Sequence, residues 1–250
     1  QSMNQNIINY IKSIVPNIPK DWLNLTTHRL DIYNEELAKT EFITEFNALF
    51  EKGDSSTIAL NGLPTAYDYI RLGHPLSSIL EWHIAKLHHI KPEQVISFDS
   101  ETMPILAVLR TNTLQHKNTR LVYKTDLPKS FDSEIIKRVY GYHFELLKTD
   151  NIETLPEFDG TTILIDHDNS ISEIALNAAI DFYVNLYPAL GSILIINGDH
   201  NQTYTSKIQH VRRRETIAMT PINSFKALKA IAEQLNIETQ IDEVDSHKKK

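Results

Sequence analysis

The chain has 250 residues, of which 41% are hydrophobic and 23% charged, with a formal net charge of −7. This is the composition of an ordinary globular protein, long enough for one α/β domain with a sizeable core. The absence of cysteine excludes disulfides, thiolate metal sites and a cysteine nucleophile. The negative charge argues against binding to nucleic acid. No apolar run approaches the about 18 residues of a membrane span, so we expect a cytoplasmic protein without membrane insertion.

The first half of the chain predicts a helical lead-in followed by alternating strands and helices. Pro75 begins a helix whose Leu76, Ile79 and Leu80 share one face. The predicted elements up to residue 147 are, in chain order, helices at 4–15, 34–52 and 75–90, a strand at 94–98, a helix at 103–112, a strand at 120–124, a helix at 130–142 begun by Ser130 or Asp132, and a strand at 142–147.

Residues 158–201 contain the two most informative segments of the sequence. FDGTTILIDHDNS at 158–170 and LGSILIINGDHN at 190–201 are apolar runs that end in Asp, His and Asn. Such runs are typical of fully buried parallel strands. The apolar spacing of residues 171–186 is that of a helix, so we interpret this region as strand, helix, strand. A strand at 214–220, a helix at 221–235 begun by Pro221 and a strand at 238–244 complete the prediction.

Five or six strands alternating with helices indicate an α/β fold with a doubly wound, mostly parallel Rossmann-like sheet and an N-terminal helical lead-in. We expect one domain over residues 4–250, with the lead-in at 4–60 and the sheet core at 75–245. Ligands of such sheets bind at the carboxyl ends of the strands, where these polar clusters fall.

The order and spacing of these elements resemble the class I S-adenosylmethionine-dependent methyltransferases, and the catechol-type O-methyltransferases in particular. FDGTTILIDHD resembles the family's strand ending in Ile-Asp, and LYPALGSILIINGDH resembles the next strand, which ends in Asp-Asn. The resemblance covers residues 75–201. It implies a methyltransferase-like fold and, for an active member, S-adenosylmethionine (SAM) as cofactor.

The loop after the first predicted strand departs from the family's glycine-rich pattern. The family's two glycines, which let the backbone approach the cofactor, align with Asp99 and Met103. The acid that would hold the ribose aligns with Lys124, and Asp126 lies two residues on. The resemblance therefore implies that Asp99 and Asp126 contact the cofactor only if SAM is bound, and we expect no cofactor.

A divalent metal site is the second implication of the resemblance. The family's magnesium ligands align with Asp166, Asp199 and His200. An imidazole at position 200 weakens a Mg²⁺ site and suits Mn²⁺ or Zn²⁺. The family's catalytic lysine aligns with Asn169, which cannot remove a proton from a substrate hydroxyl.

Other interpretations of these residues remain open. Asp166 and Asp168 also fit the Asp-x-Asp motifs of haloacid-dehalogenase-type phosphatases and glycosyltransferases. They also fit polar residues at a strand end, with Asn169 or Ser170 capping the next helix. Lys226 superficially resembles the Schiff-base lysine of pyridoxal-phosphate enzymes, but its helical position predicts a solvated side chain. The run RRRE at 212–215 predicts a solvated loop or a protein contact.

A retained sheet with an altered cofactor loop and an altered base favours a non-catalytic protein. The hypothesis is a methyltransferase-like pseudoenzyme that binds protein partners as a scaffolding subunit of a larger assembly, with a homo-oligomer as a further option. The Ile-, Asn- and Lys-rich sequence is typical of a bacterium. It is similar to a DotZ-type accessory subunit of a type IV secretion coupling complex. The alternative is an active, metal-dependent SAM O-methyltransferase with an atypical cofactor loop.

Overall fold

A computed structural model describes residues 3–24, 35–64, 73–167 and 175–233. Among these residues, no helix is long and apolar enough to cross a membrane. The helices are α1 (Met3–Ile14), α2 (Glu35–Lys52), α3 (Thr57–Asn61), α4 (Pro75–Leu87), α5 (Met103–Leu114), α6 (Ser133–Tyr140), α7 (Tyr204–Glu215) and α8 (Pro221–Glu233). The strands are β1 (Val95–Phe98), β2 (Thr119–Tyr123), β3 (Glu145–Lys148), β4 (Thr161–Asp166), β5 (Phe182–Tyr187) and β6 (Gly191–Ile196).

The six strands form one mixed sheet in the order β1-β6-β5-β4-β2-β3. Strands β3, β2, β4 and β5 pair in parallel, whereas β6 is antiparallel to both of its neighbours, β5 and β1. Since β6 is the one reversed strand, β1 runs in the same direction as the four parallel strands. The sheet therefore has one edge where five strands end, called here the carboxyl edge, and an opposite amino edge where β6 ends.

Helices cover both faces of the sheet and bury two apolar cores. One core joins α1, α2, α4 and α8 to alternate strand residues such as Val95, Tyr183 and Ile195. The other joins α5, α6 and α7 to the intervening residues, such as Ile96, Phe182 and Leu194. This alternation is what a strand's two-residue period requires when both faces are buried. The expectation of an α/β fold is confirmed.

The predicted strand–helix–strand unit at 158–201 is wrong in its middle part. Residues 182–187 form strand β5, which returns as β6 through a tight turn, so the two strands make an antiparallel hairpin. The turn contains Ala189 at φ 63°, a left-handed conformation that few non-glycine residues adopt. A connection this short cannot join parallel strands, which need a crossover of a dozen residues or more.

The doubly wound, methyltransferase-like sheet is also corrected. In a doubly wound sheet the first strand lies at the centre, between the second and fourth. Here β1 is an edge strand beside β6, and β2 pairs directly with β4. The loop after β1 is therefore not the central loop on which the expectation of a SAM site depended.

Two local predictions near the C-terminus need correction: the strand at 214–220 and the solvated loop at 212–215. The predicted strand at 214–220 does not form, because α7 extends to Glu215 and residues 216–220 have no regular structure. The arginine run lies in this helix, and Arg212 is buried. The predicted strand at 238–244 lies outside the described residues.

The predicted cap of α6 is confirmed for one of its two candidates. Asp132 caps α6 by accepting a hydrogen bond from the amide of Ile135 at 3.1 Å.

Candidate functional site at the carboxyl edge

The winding of the sheet places a candidate crevice at the carboxyl edge, between the ends of β2 and β4. From β2 the chain moves outward to β3, and from β4 it moves the other way to β5. The direction of winding therefore reverses between these two neighbouring strands. Such a reversal opens a crevice outside the carboxyl ends of the strands, and open α/β sheets bind their ligands there. Lys124 and Asp126 follow β2 at this point, Asp166 ends β4, and His167 comes directly after it.

A histidine joins the two sides of this crevice. The Nε2 atom of His167 lies 2.8 Å from the main-chain oxygen of Asp126. A carbonyl oxygen only accepts, so Nε2 carries the proton and donates it. The other ring nitrogen, Nδ1, then has its lone pair available to take a proton. The geometry thus selects the tautomer in which the imidazole can act as a base.

A half-buried carboxylic acid belongs to the same group. Glu101 lies in the loop between β1 and α5, and burial raises its pKa above the ordinary value. The charge of Lys129, and that of His167 when its ring is protonated, act in the opposite direction, so both side chains lie within electrostatic reach of Glu101. An acid whose pKa is raised by burial beside a histidine base is an arrangement that proton-transfer sites use.

The N-terminus of α5 contributes no anion site to this edge. The amides of Thr102 and Met103 both donate to Ser100 Oγ, each at 3.1 Å. Pro104 has no amide proton, and the Ile105 amide donates to the oxygen of Thr102 at 3.0 Å. These first amides are therefore already satisfied. Among the described residues of this loop, a phosphate or carboxylate of a cofactor would find no free main-chain donor on this helix.

The two residues proposed for SAM have other surroundings than the resemblance implied. The Asp99 amide donates to the oxygen of Ile217 at 3.1 Å, and burial raises the pKa of the Asp99 carboxyl. Asp126 presents its main-chain oxygen to His167. The two residues end different strands, β1 and β2, and three strands lie between these in the sheet.

The three predicted metal ligands are not brought together. Asp166 ends β4 at the carboxyl edge, beside Asn185 of β5. Asp199 and His200 follow β6, which ends at the amino edge, where Ile196 pairs with Phe182. His200 Nε2 instead lies 3.2 Å from Asp181 Oδ1. Within the described residues, no group of three acids or histidines could hold a metal ion.

Other candidates from the sequence fall away from the crevice or outside the described residues. Asp168, Asn169 and Ser170 lie in the segment that the structure does not describe. Lys226 is half-buried on α8, which packs on α1 and α4.

A buried ionic cluster below the carboxyl edge was missed by the sequence analysis. Glu81 of α4 is 1% exposed and accepts hydrogen bonds from four groups. These are Lys39 Nζ at 2.9 Å, Arg212 Nη1 at 2.8 Å, and the amide and hydroxyl of Ser97 at 2.9 and 3.1 Å. Burial alone would raise the pKa of Glu81, but the charges of Lys39 and Arg212 outweigh burial and lower it to about 2.

The cluster fixes the strand that leads into the Glu101 loop. Arg212 Nη1 also donates to the oxygen of Ser97 at 3.1 Å, so α4, α7 and β1 meet at one carboxylate. The sequence does contain a sign of this cluster. The segment 75–87 has Ser, Glu and His within an otherwise apolar helix without a solvated face, which predicts that some of these polar side chains are buried. Glu81 is one of 11 buried residues in that helix.

No protein-family model and no curated protein sequence matches this chain. Solved structures that resemble it include metB from Corynebacterium glutamicum, with 12% identity and a TM-score of 0.45, over 69% of this chain and 54% of that one. A cystathionine gamma synthase from Xanthomonas oryzae pv. oryzae, in complex with aminoacrylate and cysteine, has 15% identity and a TM-score of 0.45, over 68% and 54%. A protein described as an L-allo-threonine aldolase from Listeria monocytogenes EGD-E has 16% identity and a TM-score of 0.44, over 91% and 73%.

These similarities identify neither the fold family nor the activity of the chain, which spans about half the length of the first two proteins. None of the three is described as a methyltransferase or as part of a secretion complex. The order of the strands, with β1 at the edge of the sheet, overturns three expectations. The resemblance to methyltransferases is wrong. The cofactor expectation, which was no cofactor or, as its alternative, SAM with a metal, is wrong with it, because both options were argued from that resemblance. The non-catalytic scaffold of a type IV secretion complex is also wrong, because its argument required a degenerate SAM loop at the sheet centre.

Proposed function

We propose that the protein binds a small polar molecule in the crevice between β2 and β4 and transfers a proton on it, with His167 as the base. The observation that carries this proposal is the hydrogen bond of 2.8 Å from His167 Nε2 to the Asp126 oxygen. It fixes the ring across the crevice and leaves Nδ1 as the acceptor. Histidine is the side chain that exchanges protons most readily near neutral pH.

Glu101 supports the proposal as the partner acid. Burial raises the pKa of its carboxyl, so it holds a proton at a higher pH than an exposed glutamate. Such an acid can return a proton to the substrate after His167 has removed one. Lys129 lies within electrostatic reach of the same carboxyl and supplies a positive charge for a developing anion.

The experiment follows proton exchange directly, so it works with a substrate that has not been identified. The protein is incubated in D₂O with pools of keto acids, hydroxy acids and amino acids, and proton NMR records the loss of each C–H signal. We expect exchange of a proton next to a carbonyl in at least one compound. His167→Gln abolishes this exchange, Glu101→Gln slows it, and the exposed control His143→Gln leaves it unchanged. Exchange that persists in His167→Gln, or its absence in every pool, would contradict the proposal.

A further inference from the structure

A cavity lies at the opposite, amino edge of the sheet. Its volume is about 570 Å³, within the range of about 300–1,000 Å³ that is usual for small-molecule sites. Its floor contains Arg120 of β2, Thr162 of β4 and Asp181 before β5, and its walls include Phe158 and Ala179. None of these residues belongs to the crevice of the proposed function, so this inference stands independently of it.

Arg120 has hydrogen-bonding capacity that the protein does not use. It is only 5% exposed. Its Nε and Nη2 atoms donate to Thr162 Oγ1 at 3.2 and 3.0 Å, and Nη1 donates to the oxygen of Pro156 at 2.7 Å. A guanidinium carries five N–H donors. Within the described residues two donors, one on each terminal nitrogen, therefore make no hydrogen bond.

The position of the guanidinium is fixed by its surroundings. The ring of Phe158 lies over it, with 5.0 Å from the Arg120 Cζ atom to the ring centre. Gly160, at φ 152°, brings the backbone so close that an added Cβ would collide with the Asn118 oxygen and lie 2.7 Å from the Phe158 ring. The cavity is thus built by the chain, and each terminal nitrogen of its arginine keeps one unused donor. Guanidinium donors lie in one plane, which suits a carboxylate as ligand.

The acidic residues around the cavity determine which second charged group a ligand needs besides a carboxylate. Glu157 and Asp159 are exposed lining residues, and Asp181 adds a third carboxylate. The Asp181 carboxylate already accepts from the Thr162 amide at 2.8 Å and from Asn201 Nδ2 at 2.9 Å. Three acids against one arginine repel a simple anion. A molecule with both a carboxylate and a cationic group satisfies both sets of charges.

We propose that this cavity binds a zwitterionic amino acid. Its carboxylate pairs with the two unused donors of Arg120, and its ammonium group faces Glu157 and Asp159. The apolar surface of Phe158 and Ala179 leaves room for a small side chain beside the ammonium group.

An NMR titration of the ¹⁵N-labelled protein tests this assignment with four probes: L-alanine, acetate, ethylamine and inorganic phosphate. We expect L-alanine to shift the amides of Gly160, Thr162 and Ala179. Acetate, ethylamine and phosphate should bind about tenfold or more weakly, since each lacks one half of the charge pair. Acetate or phosphate binding as tightly as L-alanine, or no shift with any probe, would overturn the proposal.

Variants separate recognition from folding. Arg120→Lys keeps the charge but loses the planar pair of donors, so L-alanine affinity should fall about tenfold. Because Arg120 also holds the 156–162 segment, the double variant Glu157→Gln with Asp159→Asn provides a second test at exposed positions. It should weaken L-alanine and strengthen acetate, whereas Glu153→Gln, exposed in the same segment but outside the cavity, should change neither. An unchanged ratio of the two affinities in the double variant would contradict the assignment.

Discussion

The two edges of the sheet are each organised around one carboxylate, and the two differ in burial. Near the carboxyl edge, Glu81 is 1% exposed and pairs with Arg212, which is 4% exposed. At the amino edge, the Asp181 side chain is 16% exposed and pairs with His200, which is 71% exposed. Both carboxylates accept several hydrogen bonds from neighbouring elements. Water can replace the hydrogen-bond partners of Asp181 but not those of Glu81. The hydrogen bonds around Glu81 should therefore contribute several-fold more to the free energy of unfolding than those around Asp181.

The largest expected effect follows from neutralising Glu81. Glu81→Gln leaves Arg212 and Lys39 without their anion in the interior, which costs about 3–5 kcal/mol of the free energy of unfolding. Urea denaturation followed by circular dichroism measures this loss. The control Glu93→Gln replaces an exposed acid shortly before β1 and should remain within about 0.5 kcal/mol of the wild type. A loss below about 1 kcal/mol in Glu81→Gln would mean that the cluster does not hold β1 in place.

Acid should reveal the same cluster. The folded pKa of Glu81 is about 2 against an ordinary 4.5, so below pH 4.5 the unfolded chain binds a proton that the folded protein does not. This contribution is fully present above pH 4.5 and is lost as the pH falls toward 2. Burial lowers the pKa of His74 to about 4 and of His83 to about 3.

These two histidines therefore also reduce stability as the pH falls below their ordinary 6.5. Denaturation midpoints measured from pH 7 to pH 2 should decline in two overlapping stages, the histidines first and Glu81 second. In Glu81→Gln the histidine stage, from pH 6.5 to about 4 for His74 and to about 3 for His83, should remain. The Glu81 part between 4.5 and 2 should disappear. A profile that is identical in the two proteins below pH 4.5 would refute the assignment of that stage to Glu81.

Each edge also depends on a glycine that alanine cannot replace. An added Cβ at Gly191, at φ 133°, collides with the Phe98 oxygen and lies 3.2 Å from the Asp99 backbone; Gly160 at the amino edge has the equivalent collision with Asn118. We expect Gly191→Ala and Gly160→Ala each to cost about 2–4 kcal/mol. Thermal unfolding measures both. Gly53→Ala, at φ 70° with nothing within 4 Å, should cost only about 1 kcal/mol. Equal losses at all three positions would show that backbone strain alone acts, without the close approach.

The smallest effect is expected at the amino edge. Asp181→Asn keeps the shape of the side chain but loses the charge that the Thr162 amide and Asn201 bind, which should cost about 1–2 kcal/mol. Urea denaturation again provides the measurement. His200→Gln should be almost neutral because exposed ion pairs contribute little. If Asp181→Asn destabilised the protein as much as Glu81→Gln, burial would not explain the difference between the two edges.

Much of the element pattern could be predicted from the sequence. The helices at 75–87, 103–114 and 221–233 and the strands at 95–98 and 161–166 appear where periodicity and Pro placed them. The failure at 182–187 has a physical cause, since Phe182 and Leu186 are four residues apart and fit one helix face. The β-forming run Phe-Tyr-Val and the following Pro188 were the contrary signal.

The candidate sites were less predictable, because they depend on strand direction. Asp166 and Asp199 both follow apolar strands, and parallel strands would have brought them together at one edge. The short turn through Ala189 reverses β6 and carries Asp199 and His200 to the other edge. The turn between β5 and β6 lacks a dipeptide such as Asn-Gly, which would have predicted a hairpin. Likewise, the pairing of Glu81 with Arg212 joins residues 131 positions apart, which no local pattern encodes.

The most direct test of the proposed site is the tautomer of His167. Long-range ¹H–¹⁵N correlation spectra of the imidazole nitrogens distinguish a protonated nitrogen from one with a free lone pair. The hydrogen bond to the Asp126 oxygen predicts a single tautomer with the proton on Nε2 and Nδ1 free. A tautomer with the proton on Nδ1, or the averaged signals of a freely exchanging ring, would contradict the assignment of His167 as the base of the crevice.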